Sequence, residues 1–151
     1  MKKTKIMVFG TFDGLHKGHL NFLKQARKLA RNPSLIVSVA RDKNVKRIKG
    51  KLPAKNEKKR AILIKKLSGS SKLVEKVVLS GVKNHVPHII REHPDIIALG
   101  YDQKAYVQNL KKDLKNKGLV VEIVRLKPFK EKIYKNHLLR AEGGSAFGGK
   151  K

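Results

Sequence analysis

The feature that most constrains this chain is the alternation of short apolar runs with segments of helical periodicity. Five apolar runs, rich in β-branched residues, are predicted to be buried strands: residues 6–9, 35–40, 76–79, 95–100 and 119–124. Helical spacing of apolar residues predicts helices over 18–30, 57–67, 85–92 and 105–117. Strands that alternate with helices form right-handed β-α-β units. We therefore expect an α/β, Rossmann-like, doubly wound fold: a parallel five-stranded sheet with helices on both faces.

Two segments depart from this alternation. Residues 41–56 are lysine-rich and contain Gly50 and Pro53, so we predict a basic loop with room for a helical turn at its start. Residues 143–151 are glycine-rich and basic, which is typical of a flexible tail. The prediction is thus one domain over residues 1–142, followed by that tail. Parallel sheets bind ligands beyond the carboxyl ends of their strands. The segments expected along that edge are 10–19, 40–51, 100–103 and 125–136.

The chain is strongly basic. Among its 151 residues, 37 are Lys or Arg and 11 are Asp or Glu, which gives a formal net charge of +26. Such a charge indicates either a lysine-rich solvated surface or a polyanionic partner. The lysines are spread over every segment rather than gathered in one patch. This even spread favours the solvated surface, and among polyanionic partners phosphorylated small molecules are favoured over nucleic acid.

The sequence contains neither cysteine nor a long apolar segment. The lack of cysteine excludes disulfides, thiolate metal sites and a cysteine nucleophile. No apolar run approaches the roughly 20 residues that span a bilayer. The basic start, residues 1–5, leads into a predicted strand and not into a cleavage site. We therefore expect a cytoplasmic protein with no membrane association.

The segment after the first predicted strand, residues 10–19, is rich in groups that bind phosphate. Gly10 lets the chain turn, and Thr11 offers a hydroxyl and a backbone N–H. Gly18 lies where the next helix begins, so N–H groups and the positive end of the helix dipole face the edge of the sheet. His16 and His19 lie on one side of that turn and can donate to charge that builds on a phosphoryl group. The same pair is also compatible with surface or core histidines, or with two metal ligands.

Residues 10–19, Gly-Thr-Phe-Asp-Gly-Leu-His-Lys-Gly-His, resemble the GTFD-x-x-H-x-GH signature of the cytidylyltransferase-like nucleotidyltransferase superfamily, and the match is complete. Residues 39–42, 94–103 and 118–126 extend the resemblance, which is strongest to the archaeal FAD synthases and next to the glycerol-3-phosphate cytidylyltransferases. The resemblance implies an enzyme that transfers AMP from ATP to FMN and gives FAD and pyrophosphate. It also implies Mg²⁺ or another divalent cation on the nucleotide, with no protein metal ligands. Relatives are commonly homodimers, although no feature of this sequence marks an interface.

The resemblance also implies roles for individual residues. His16 and His19 are the implied catalytic residues. The implied nucleotide-binding residues are Thr11, Phe12, His16, Lys17, Gly18, His19 and Asp102. Contacts to the acceptor or to the phosphates are implied for Lys49, Lys51, Arg60 and Asn136. Asn136 and His137 stand where the family has a Ser/Thr-rich turn, although an Asn amide can still cap a helix and donate to phosphate.

Two other functions are compatible with the sequence. The first is transfer of CMP from CTP to glycerol 3-phosphate or a related polyol phosphate, which shares the chemistry and differs in base and acceptor. The second is a catalytically weak relative that binds nucleotide, an alternative favoured by the departure at Asn136 and His137.

Three histidines lie outside the motif. His85, His88 and His93 follow one another along a predicted helix and the turn after it. No set of metal ligands surrounds them in the sequence, so we predict structural or surface roles for all three.

Overall fold

The structure, a computed structural model, describes residues 2–66, 73–81, 84–101, 103 and 109–128. Its strands are β1 Thr4–Gly10, β2 Pro33–Val39, β3 Lys76–Leu79, β4 Ile96–Leu99 and β5 Glu122–Arg125. Its helices are α1 Lys17–Arg27, α2 Asp42–Lys49, α3 Glu57–Lys65, α4 His85–Glu92 and α5 Leu110–Asn116. The strands form one parallel sheet in the order β3-β2-β1-β4-β5. The predicted α/β class and parallel five-stranded sheet are therefore confirmed.

Helices cover both faces of the sheet, as predicted. Side chains alternate along β1, so Ile6 and Val8 point to one face while Met7 points to the other. The first face packs against α1 and α3, and the second packs against α4 and α5. All three β1 side chains are fully buried. Burial on both faces explains why β1 is a continuous apolar run in the sequence.

The central strand β1 marks the point where the strand order reverses. Val8 pairs with Val37 of β2 on one side and with Ala98 of β4 on the other. The crossovers that follow β1 and β4 leave in opposite directions along the sheet, which opens a crevice at the carboxyl ends of the two strands. The loop of residues 11–16 begins in this crevice.

The prediction of a basic loop over residues 41–56 is wrong for its first half, which forms α2. Val45 and Ile48, one turn apart, supply a short apolar face that the surrounding lysines obscure in the sequence. Gly50 ends the helix in the left-handed region at φ 85°, and its N–H donates to the carbonyl oxygen of Lys46. The basic residues of this segment are therefore presented by a helix.

Several predicted boundaries also differ: α1 ends at Arg27 and not at residue 30, and β1 and β2 each begin two residues before their predicted starts. Strand β5 begins at Glu122 and not at residue 119, because the N–H of Leu119 donates to the Leu114 carbonyl oxygen and completes the turn that ends α5. The helix predicted over 105–117 is seen from Leu110 to Asn116, and residues 104–108 lie outside the described part. The tail and the domain limit at residue 142 lie outside it as well. Within the described residues, no helix is long and apolar enough to cross a membrane.

Candidate active site

The loop of residues 11–16, which we call the motif loop, begins with a close contact between Phe12 and Gly10. Phe12 adopts a left-handed backbone at φ 53°, and its side chain is only 3% exposed. A Cβ added at Gly10 would lie 2.6 Å from Cε2 of the Phe12 ring. Gly10 is therefore needed because a larger residue would displace this ring. Since the ring belongs to the core, Phe12 can meet a nucleotide only through its backbone.

His16 and His19 form a capping pair at the start of α1. His16 is the N-cap residue, and its Nδ1 accepts a hydrogen bond from the Gly18 N–H at 3.1 Å. In return, Nδ1 of His19 accepts from the His16 N–H at 3.3 Å. The two rings stack with centroids 3.8 Å apart, and Phe12 meets the His19 ring edge-on at 5.4 Å. The motif thus holds both imidazoles rigidly side by side.

The capping bonds also determine which ring nitrogen carries the proton. A nitrogen that accepts a hydrogen bond has no proton, so in the neutral ring the proton is on Nε2. Both histidines are therefore held as Nε2–H donors. Paired donors at the positive end of a helix are suited to negative charge on phosphate oxygens.

The two residues between these histidines, Lys17 and Gly18, differ in what they can offer to a ligand. Lys17 is the first residue of α1. The N–H of Gly18 is engaged by the His16 ring and does not point to a ligand. Gly18 is buried, and it follows the N-cap directly in the first turn of the helix. Of this pair, Lys17 is therefore the one that supplies a side-chain charge next to the motif loop.

Asp13 fastens the motif loop to the segment before α3. Its two carboxylate oxygens accept from the backbone N–H groups of Ala54 and Lys55, at 2.7 and 3.0 Å. A carboxylate engaged in this way is a structural anchor that sets the distance between the two loops. Sequence reasoning assigned Asp13 no separate role, because its partners are backbone groups that no side-chain pattern reveals.

Arg60 lies directly behind the motif loop. Its side chain is 0% exposed, and all three of its guanidinium nitrogens donate to protein oxygens. Nη1 donates to the carbonyl oxygen of Thr11 at 2.8 Å, Nη2 to the carboxylate of Asp42 at 2.7 Å, and Nε to the Lys55 carbonyl oxygen at 2.9 Å. The structure therefore brings Arg60 to the motif but gives it a positioning role, with its charge turned to Asp42 and away from solvent.

Lys49 and Lys51 lie at the far end of α2, on either side of the Gly50 cap. Both side chains are exposed. The end of α2 is a short distance along the chain from the residues that Asp13 holds. The two lysines therefore belong to the segment whose end Asp13 holds to the motif loop.

Gln103 closes the crevice on its other side. Its side-chain Nε2 donates to the Phe9 carbonyl oxygen, and its Oε1 accepts from the Gly100 N–H, each at 2.8 Å. The side chain thus bridges the ends of β1 and β4 where their pairing stops. Arg125 supports the same turn by donating to the carbonyl oxygens of Gly100 and Gln103 at 2.8 Å. Sequence reasoning placed residues 100–103 on this edge but missed both bridging roles.

Two implied site residues, Asp102 and Asn136, lie outside the described residues. Among those that are described, no group of three or more His, Asp or Glu side chains could hold a metal ion. The polar groups at the motif are N–H donors and ammonium groups, and its nearest carboxylate, Asp13, is engaged with backbone. This set of donors is suited to the oxygens of a phosphate.

His88, on α4, is buried against β2. Its Nε2 lies 2.8 Å from the Ser38 hydroxyl, which is itself buried. Burial lowers the pKa of His88 most strongly, and the charges of His85, Arg91 and Arg41 lower it further while Glu92 opposes them. The pKa of His85 is also lowered, by burial and then by Arg47. Both rings are therefore expected to be neutral in the folded protein.

These lowered pKa values predict that the protein loses stability in mild acid. Below about pH 6.5 these histidines bind protons in the unfolded chain, whereas their buried rings in the folded protein stay neutral to a lower pH. The free energy of unfolding therefore falls as the pH falls. Above that pH the two rings have no effect. Melting temperatures measured from about pH 7.5 to 5.5 should show this decline, and His88→Gln should reduce it. An equal reduction by His93→Gln, at an exposed position, would contradict the assignment.

The family model and the curated relatives that match this chain agree on one protein family. A family model described as cytidylyltransferase-like matches residues 7–139. The FAD synthase of Korarchaeum cryptofilum is 44% identical over 126 residues, covering 83% of this chain and 82% of that protein. The FAD synthase of Thermococcus sibiricus is 42% identical over 127 residues, covering 83% and 81%. That of Aciduliprofundum boonei is 39% identical over 125 residues, covering 83% and 79%.

Solved structures show the same architecture. The lipopolysaccharide core biosynthesis protein from Thermoplasma volcanium superposes with a TM-score of 0.73 at 37% identity, covering 85% of this chain and 99% of that one. A protein of unknown function from Archaeoglobus fulgidus has a TM-score of 0.61 at 19% identity, covering 82% and 90%. The second likeness concerns the fold alone.

Proposed function

This chain belongs to the cytidylyltransferase-like family of nucleotidyltransferases, and we propose that it transfers AMP from ATP to FMN, giving FAD and pyrophosphate. The observation that carries the proposal is the likeness to three archaeal FAD synthases at 39–44% identity over 83% of the chain. The site supports it, since a complete phosphate motif lies in the crevice where the strand order reverses.

In the proposed reaction, a phosphate oxygen of FMN attacks the α-phosphorus of ATP in line with the leaving pyrophosphate. One P–O bond forms to FMN as the bond between the α-phosphorus and its bridging oxygen to the β-phosphorus breaks. The protein supplies position and charge and forms no covalent intermediate. His16 and His19, held as Nε2–H donors, stabilise the negative charge that builds on the phosphoryl oxygens. The backbone of Thr11 and Phe12, together with Lys17, contacts the triphosphate.

The two substrates are both polyanions, so the crevice must offset their mutual repulsion. Lys49 and Lys51 are proposed to do so from the end of α2, and Asp102 and Asn136 are proposed, from the resemblance, to contact the nucleotide and the phosphates. Mg²⁺ is proposed to enter the site with ATP, where it would offset part of the phosphate charge. We also propose a cytoplasmic location, since the reaction draws on the ATP pool of the cell.

A substrate panel tests the proposal. Purified protein is incubated with ATP or CTP, and with FMN or glycerol 3-phosphate, in the presence of Mg²⁺, and products are separated by chromatography. We expect FAD from the pair ATP and FMN, with a kcat/KM at least tenfold above that of any other pair. Formation of CDP-glycerol without FAD would contradict the proposal and favour the cytidylyltransferase alternative.

A further inference from the structure

The segment between β2 and α3, residues 41–53, forms a lobe that is fastened to the motif loop at both ends. At its start, the Ala40 N–H donates to the Gly10 carbonyl oxygen at 2.9 Å. At its end, the Asp13 carboxylate accepts from the N–H groups of Ala54 and Lys55. The two ends of the 41–53 lobe are therefore held next to the phosphate motif.

One face of the lobe is apolar and changes from buried to exposed along α2. Asn44 and Val45 are buried, at 2% and 5% exposure, and anchor the start of the helix. Ile48 lies one turn further on the same face but is 54% exposed. Leu52, just after the Gly50 cap, is 57% exposed. Two aliphatic side chains of the lobe, Ile48 near the end of α2 and Leu52 just after its cap, are thus left exposed.

These two aliphatic side chains have positively charged neighbours in the sequence. Lys46, Lys49 and Lys51 flank Ile48 and Leu52 in sequence, and all three are exposed. A ligand that fits the lobe therefore combines an apolar body with negative charge. FMN has this combination, because its flavin ring is large and flat and its phosphate is a dianion. Glycerol 3-phosphate carries the phosphate alone.

We propose that the flavin ring of FMN packs against Ile48 and Leu52, while its phosphate reaches toward the motif loop. This subsite rests on the proposed adenylyltransferase activity and specifies how the acceptor is selected. The lobe binds acceptors that carry an apolar ring and gives no such gain to a small polyol phosphate. The selection comes from the apolar area that the flavin ring and these two side chains remove from water when they pack together, which is favourable.

A double variant, Ile48→Ser with Leu52→Ser, tests the subsite. The matched control is Ile62→Ser with Val120→Ser, because those aliphatic residues are also exposed, at 55% and 76%, but lie on α3 and before β5. We expect the lobe variant to raise the KM for FMN about tenfold and to leave the KM for ATP within about twofold. The control should leave both within about twofold.

Two inhibitors separate the ring from the phosphate. Riboflavin has the ring without the phosphate, so the lobe variant should weaken its inhibition by the same factor as it raises the KM for FMN. Inorganic phosphate has no ring, so its inhibition should be unchanged. Equal losses for both inhibitors would overturn the assignment of the ring to these two residues.

Other results of these experiments separate failure of the flavin subsite from failure of the adenylyltransferase proposal. If the wild type makes FAD and the lobe variant keeps its KM for FMN, the subsite is wrong and the adenylyltransferase proposal stands. If the wild type makes no FAD, both fall. Sedimentation equilibrium is run on the same variants: loss of a dimer with an unchanged KM for FMN would show that Ile48 and Leu52 meet a second copy of the chain, which also overturns the subsite.

Discussion

Replacing His16 by Asn, or His19 by Gln, is expected to lower kcat for FAD formation by about 10²- to 10³-fold, the usual loss when one preorganised donor to a developing charge is removed. Each replacement preserves the helix cap. An Asn at the N-cap can accept from the Gly18 N–H through Oδ1, and a Gln three residues later can accept from the backbone N–H of the cap. Neither amide reproduces an Nε2–H at the edge of an imidazole ring.

The matching alanine variants separate capping from catalysis. His16→Ala should lose the same activity and also about 1 kcal/mol of unfolding free energy, because the cap is gone. Steady-state kinetics and denaturant unfolding on the four variants give both quantities. A His16→Asn enzyme that keeps wild-type kcat would show that the ring acts only as a cap, and would favour a nucleotide-binding protein whose chemistry lies elsewhere.

Replacing Arg60 by Met is expected to lower the free energy of unfolding by about 3–5 kcal/mol. The side chain is fully buried, and its loss removes a donor from the carbonyl oxygens of Thr11 and Lys55 and from the Asp42 carboxylate, whose other oxygen still accepts from the Glu57 N–H at 3.3 Å. Single domains are stable by only about 5–15 kcal/mol, so this loss is a large share of the total. Urea unfolding monitored by circular dichroism measures it.

The neighbouring Lys58→Met is the control, because Lys58 lies on the same helix and is exposed. It should change the unfolding free energy by less than about 0.5 kcal/mol. Asp42→Asn provides the milder test, since the amide oxygen can still accept from Nη2 while the charge is lost. Equal stability of the Arg60→Met and Lys58→Met proteins would refute the buried role. Retained stability with a raised KM for ATP would instead place Arg60 against the phosphates.

The sheet could be predicted because strands that are buried on both faces consist mostly of apolar residues. Strand β1 is a continuous apolar run for this reason, and the same holds for β2 and β4. Helix α2 was missed because only Val45 is buried in its apolar face, so lysines dominate its composition. When few side chains of a helix are buried, the helical spacing of its apolar residues is hard to recognise in the sequence. The glycine that caps such a helix is also typical of loops.

The site shows a similar division. The positions of His16 and His19 could be anticipated, because a complete motif between a strand and a helix fixes where the rings lie. Their reciprocal capping could not, since it depends on which ring nitrogen meets which backbone N–H. Asp13, Gln103 and Arg125 act on backbone atoms from distant segments. Such contacts carry no spacing rule, so only the fold reveals them.

The central claim is that the α-phosphorus of ATP moves to FMN, and isotope transfer tests it most directly. The protein is incubated with FMN and ATP labelled with radioactive phosphorus at either the α or the γ position, and the products are separated. We expect the α label to appear in FAD, one per flavin, and the γ label to appear only in pyrophosphate. Recovery of the γ label in a flavin product or as inorganic phosphate, with the α label left in adenine nucleotide, would contradict it.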